Sequence, residues 1–201
     1  MFTSTRHGSA DVFRVRPTGK GLERLTNHLG FDDQGAPSPN RRQLAIVSSR
    51  SGQSDIWILE VATGALRNLM NDRGGDFRPS WSPDGQWIAF SSDRNSKQPK
   101  LGFTVLHSTE LYVVRVEGSG LRRITNRDAV AGSPSWSSDA KRLVYYEAAP
   151  DDLQRIRSGI RQRGTTQLVS IDLDSGERRV LTTGAGEKWS PRWIGEDADE
   201  R

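Results

Sequence analysis

Residues 76–94, DFRPSWSPDGQWIAFSSDR, constrain this chain more than any other stretch, because weaker copies recur on both sides. The stretch reads as a tight β-hairpin. Ser80-Trp81-Ser82 alternates polar with aromatic, Pro83-Asp84-Gly85 supplies a turn, and Trp87-Ile88-Ala89-Phe90 is an apolar, β-prone second strand. Proline presets φ at the turn entry and glycine accepts a positive φ after it. An earlier copy, PNRRQLAIV at 39–47, keeps the apolar second strand but has an eroded turn. A later copy, SPSWSSD at 133–139, leads into Leu143-Val144-Tyr145-Tyr146, and a broken one, SPRWIG, lies at 190–195.

A second hairpin follows each copy. Its first strands are DVFRV at 11–15, DIWIL at 55–59, ELYVV at 110–114 and QLVSI at 167–171, spaced by 44, 55 and 57 residues. Each runs through a turn holding Gly19, Gly64, Gly120 or Gly176 into RLT at 24–26, RNL at 67–69, RIT at 123–125 or VLT at 180–182. A period of roughly 40 to 50 residues built from four short strands is the signature of propeller blades. The chain is therefore expected to be all-β.

The run from Asp76 to Gly85 resembles the D-x-x-P-x-W-S-P-D-G motif of TolB-type, WD40-like β-propeller repeats, and SSRSGQSDIW at 48–57 resembles the segment joining their second and third strands. The resemblance implies a TolB-like propeller of about four blades of four-stranded antiparallel sheets, incomplete or open. The expected divisions are a partial blade at 1–30, blades at 31–75, 76–131 and 132–188, and at 189–201 the first strand of a further blade or of a ring closure. Such repeats serve as binding platforms, as docking proteins of the bacterial envelope and as propeller domains attached to peptidases, so the resemblance specifies fold far better than function.

Two insertions break the period, at 95–108 and 148–165, each between the second and third strand of a blade. Both are expected to enlarge one face of the disc, and loops on a rigid scaffold are where binding residues concentrate. Lys97 and Lys100 lie in the first. The second crowds Arg155, Arg157, Arg161 and Arg163 into nine residues whose acidic neighbours are Asp151 and Asp152, with Leu153, Ile156 and Ile160 spaced for a short helical turn. Guanidinium groups suit bidentate recognition of carboxylates. These six cations are the candidate partner-binding residues, and the expected partner is a protein or peptide with an acidic surface. Nucleic acid is not expected, because no aromatic platform accompanies the basic cluster and 29 basic and 25 acidic residues are interspersed along the chain, for a net charge of +4.

Tryptophan has a different reading. Trp81, Trp136 and Trp193 share one repeat position, Trp57 replaces Phe13 and Tyr112 at another, and Phe90 and Tyr145 sit in second strands, so these residues are expected to pack between blades as the repeat core. Strand edges left open at the ends of the array would favour self-association. Among candidate catalytic groups, His7, His28 and His107 are scattered loop residues, and neither an H-E-x-x-H motif nor a G-x-S-x-G elbow is present. Asp76, Asp84, Asp93 and Asp139 lack the spacing of a calcium loop, and turn capping accounts for Asp84 and Asp139. No catalytic, cofactor-binding or metal residue is assigned. The chain lacks cysteine, which removes disulfides and thiolate metal sites. As it stands it carries neither an export signal nor an apolar span. Two functional readings follow: a non-catalytic platform for a protein or peptide, and the propeller portion of a hydrolase resembling prolyl oligopeptidases.

Overall fold

The computed structural model describes residues 1–96, 108–127, 129–148 and 165–194. Among these residues the regular structure is entirely β, in four antiparallel sheets whose strand order follows the chain. The first sheet has three strands, β1 (Phe2–His7), β2 (Ser9–Arg14) and β3 (Glu23–Arg24). The second contains β4 (Asp32–Pro37), β5 (Gln43–Ser48), β6 (Asp55–Glu60) and β7 (Leu66–Asn68). The third contains β8 (Asp76–Trp81), β9 (Trp87–Ser92), β10 (Glu110–Arg115) and β11 (Arg122–Arg123). The fourth contains β12 (Val130–Trp136), β13 (Arg142–Ala148), β14 (Thr166–Asp172) and β15 (Arg178–Val180). The sheets pack in chain order, β2 on β4, β4 on β8 and β8 on β12, as an open propeller.

Period-two alternation in the second strands builds the core between sheets. Ile88 and Phe90, with Tyr112 of the same blade, face the preceding blade, where they meet Ile56 and Ile58, while Ala89 faces the next blade with Leu143, Tyr145 and Val169. Leu44 and Ile46 pack back against Val12 of the first sheet. Trp81 and Trp136 are buried, and each indole N–H donates to the inner strand of the preceding blade, Trp81 to the Ala36 carbonyl and Trp136 to that of Ser80, both at 3.0 Å.

The inner strands β4, β8 and β12 share a bulge. Their register with the second strands slips between Asp33 and Ala36, Phe77 and Ser80, and Gly132 and Ser135, and Gln34, Arg78 and Ser133 there hold φ of 55°, 55° and 51°. Pro79 and Pro134 follow the bulged residue, where a missing N–H removes little from the ladder. Ser190, followed by Pro191, has the same φ of 51°. Residues 188–194 nevertheless form no strand, contrary to the sequence expectation of an innermost strand there. Its backbone is bent for the role, but a ladder requires a neighbour, and among the described residues no strand pairs with it. Trp193 accordingly leaves its indole N–H without a hydrogen bond, and its ring lies under the Arg142 guanidinium at 5.0 Å.

Two further sequence expectations are revised. In the second blade Asn68, not Arg67, pairs with Trp57, as Arg24 pairs with Phe13 and Arg123 with Tyr112, so RNL at 67–69 is one residue out of repeat register. The similarity of Arg67 to Arg24 conceals the slip. The first hairpin also starts earlier than its motif copy, because DDQGAP at 32–37 supplies the inner strand β4 with neither of the usual aromatics.

Candidate ligand cavity lined by the inner strands

The bulges aim one side chain from each inner strand toward a cavity of about 740 Å³. Its walls include Gln34, Arg78 and Ser133 from the three bulges, Ser190 of the tail, Pro37, Pro79 and Pro134, the indoles of Trp81 and Trp189, and Phe2 and Thr3 of β1. β1 pairs with β2 on one edge only, so this wall includes an unpaired strand edge. A volume of this size suits a small ligand or a short peptide segment.

Arg78 is fixed from several directions. Its backbone N–H donates to Gln34 Oε1 at 2.6 Å, and its Nη1 donates to Ser133 Oγ and to the Tyr146 hydroxyl, both at 2.9 Å. The guanidinium carbon lies 5.2 Å from the centre of the Tyr146 ring, a cation–π arrangement. Trp189 meets the same ring edge-on at 4.5 Å. Burial pushes the Tyr146 phenol above its ordinary range, with Arg78 opposing, so it remains a neutral partner. Gly132 makes room for this ring, because a Cβ there would collide with it.

The residues singled out from sequence are distributed differently. Phe90 and Tyr145 are fully buried in the packing between blades, Trp57 is half-buried against the core of the first two blades, and Trp193 is half-buried on the tail. Lys97, Lys100, Arg155, Arg157, Arg161 and Arg163 lie outside the described residues, as does His107. The insertions that carry these cations are rooted at one end of their sheets, where Asp76, Ser92 and Glu110 align across the third blade and Val130, Ala148 and Thr166 across the fourth. The imidazole of His7 stacks on Phe13, and His28 Nδ1 accepts from the Gly30 N–H. Asp84 caps a turn by accepting from Ser82 Oγ and the Gln86 N–H, and these bonds hold its carboxyl below the usual carboxylate range. No group of three or more metal-ligating side chains occurs among the described residues.

Sequence reasoning passed over Arg78. The available signal was the column it shares with Ser133 and Ser190 just before the repeat prolines, and with Gln34 before Gly35, where it is the single cation.

Residues 29–101 match the family model of the TolB beta propeller domain. Similar folds include TolB from Agrobacterium tumefaciens, at 22% identity and a TM-score of 0.71 over 90% of this chain and 59% of that one, and TolB from Acinetobacter baumannii, at 17% and 0.70 over 91% and 40%. A puromycin-hydrolyzing peptidase from Mycobacterium tuberculosis matches at 13% identity and a TM-score of 0.60, over 90% of this chain and 25% of the peptidase. The chain thus spans less than two thirds of the TolB structures it resembles. No curated protein sequence matches it. By its repeat motif, the family match over residues 29–101 and the four stacked antiparallel sheets, the chain has the fold of a TolB-like β-propeller.

Proposed function

We propose that this propeller is a non-catalytic platform that binds an acidic protein or peptide through the face bearing its two insertions. The observation that carries the reading is the shared origin of those insertions: both leave their blades at the end where the inner strand begins, which supports reading Lys97, Lys100 and the four arginines at 155–163 as one binding group. Replacing Arg155, Arg157, Arg161 and Arg163 with alanine is expected to weaken capture of the partner and flatten its salt dependence while leaving thermal stability nearly constant. Unaltered capture defeats the reading, and a collapse in stability assigns the loop a structural role.

A second reading is favoured by the likeness in fold to the puromycin-hydrolyzing peptidase. Here the chain is the propeller portion of a hydrolase and gates access to a catalytic domain. Genomic sequence flanking the frame decides between the two, since an α/β-hydrolase pattern alongside the repeats supports the second and further blades without one support the first.

A further inference from the structure

We propose that Arg78 anchors a carboxylate-binding subsite inside the cavity between the inner strands. It rests on residues other than the six insertion cations, and either proposal can fail without the other.

The argument begins with ion pairing. Arginines at the blade ends are consistently matched to acids: Arg24 with Asp11, Arg50 with Asp32, Arg94 with Asp76, and Arg178 with Glu147. Arg78 is half-buried, yet the hydrogen-bond partners of its guanidinium among the described residues are two neutral hydroxyls on Nη1. Taking a charge out of water without a counter-ion is costly. Among the described residues the cavity supplies none, for its lining contains Arg78 and Arg192 and no aspartate or glutamate. Arg192 adds a second cation to the same wall, which strengthens the preference of the space for a negatively charged occupant.

The geometry then selects the anion. With Nη1 occupied by Ser133 and Tyr146, Nη2 and Nε remain for a ligand, and neither is a buried atom lacking a partner. Two adjacent N–H groups in a fixed plane match the two oxygens of a carboxylate. The Tyr146 ring beneath the guanidinium and the Gln34 bond to its backbone hold that plane in place before any ligand arrives. The apolar part of the occupant would meet Pro79, Pro134, Trp81 and Trp189. The carboxylate can come from an acidic side chain of a peptide or from a free organic acid.

Trp81 and Trp189 line the cavity and Trp57 does not, so the indole N–H resonances in a nitrogen-15 correlation spectrum form a built-in reporter. The whole chain is titrated with acetyl-Ala-Glu-Ala-amide, with glutarate and with inorganic phosphate. Saturable shifts of the Trp189 and Trp81 signals by the peptide or by glutarate, with Trp57 unmoved, are expected, and the tighter of the two identifies the source of the carboxylate. Arg78→Gln is expected to weaken binding roughly tenfold or more, and Arg78→Lys to weaken it less. Tyr146→Phe, which keeps the ring and removes a competing acceptor, is expected to retain binding, and serves as the test if Arg78→Gln does not fold. The proposal is overturned if neither carboxylate saturates, if phosphate binds more tightly than both, or if folded Arg78→Gln or Tyr146→Phe behaves oppositely to these expectations.

Discussion

At the scale of single residues, the repeat hides a second pattern of buried acids. Arg50 Nη2 reaches both carboxylate oxygens of Asp32, at 2.9 and 2.8 Å, while its Nε donates to Ser48 Oγ. Arg94 repeats the arrangement with Asp76 and Ser92, but it divides its guanidinium between Asp76 and Asp72, and Asp76 Oδ2 is left buried without a partner. Burial pushes the Asp76 carboxyl from 3.8 up to about 7, against the opposing pull of Arg94. The sign of the effect follows from linkage: between these two values the folded chain holds a proton that the unfolded chain has released. Folding is then favoured by this group at acidic pH, and the contribution is lost as pH rises toward 7. A denaturant series across that window should show the fall in the native protein and a flatter profile in Asp76→Asn. In the fourth blade Val130 faces Ala148 at the equivalent place and packs with Tyr146, so an apolar contact replaces the ion pair. The acidic column at Asp11, Asp55 and Glu110 was visible in the sequence, whereas its partners Arg24, Asn68 and Arg123 became clear only once the strands were paired.

The inner hairpin turn is the element in which local chemistry is most complete. In three blades a serine hydroxyl bonds an Asx side chain two residues on, and that side chain accepts an N–H beyond the turn: Ser38 with Asn40 and Arg42, Ser82 with Asp84 and Gln86, Ser137 with Asp139 and Lys141. The turn at 38–42 therefore matches the others in geometry although its sequence looks eroded. What makes the turn is the serine, the Asx and a left-handed residue, and the last of these is Gly85 in one blade but Arg41 and Ala140 in the others, at φ of 70°, 60° and 58°. A left-handed conformation costs an L-residue about 1–2 kcal/mol that glycine avoids. Ala140→Gly and Arg41→Gly should accordingly raise stability by up to about 1 kcal/mol each, partly offset by glycine's greater freedom when unfolded. Gly85→Ala should lower it by a similar amount, even though a Cβ there meets only ordinary contacts with Pro39. Midpoints of chemical denaturation compared across the three variants check this, and a uniform sign would refute the assignment.

For the whole molecule, stability resides in the layers between blades. Trp81→Ala and Trp136→Ala each open a cavity in such a layer and should cost roughly 3–5 kcal/mol, while His28→Ala, on a half-buried link residue, should be nearly silent. Equal losses in calorimetry would contradict these roles. The blade count, the strand alternation and the packing role of Trp81 and Trp136 were legible in the sequence, because each depends on neighbours a few residues apart and is written several times over, whereas Trp193 carries the same motif and lies on the tail. The ends and the cavity were not. Residues 188–194 carry the inner-strand motif but form no strand, since a ladder is a property of two segments. Arg78 acquires its setting from Ser133 and Tyr146, 55 and 68 residues further along the chain. Its backbone bulge could be read from the repeat, but the neutral partners, the aromatic ring beneath the guanidinium and the cavity they line exist only where three inner strands converge, and only the tertiary structure brings them together.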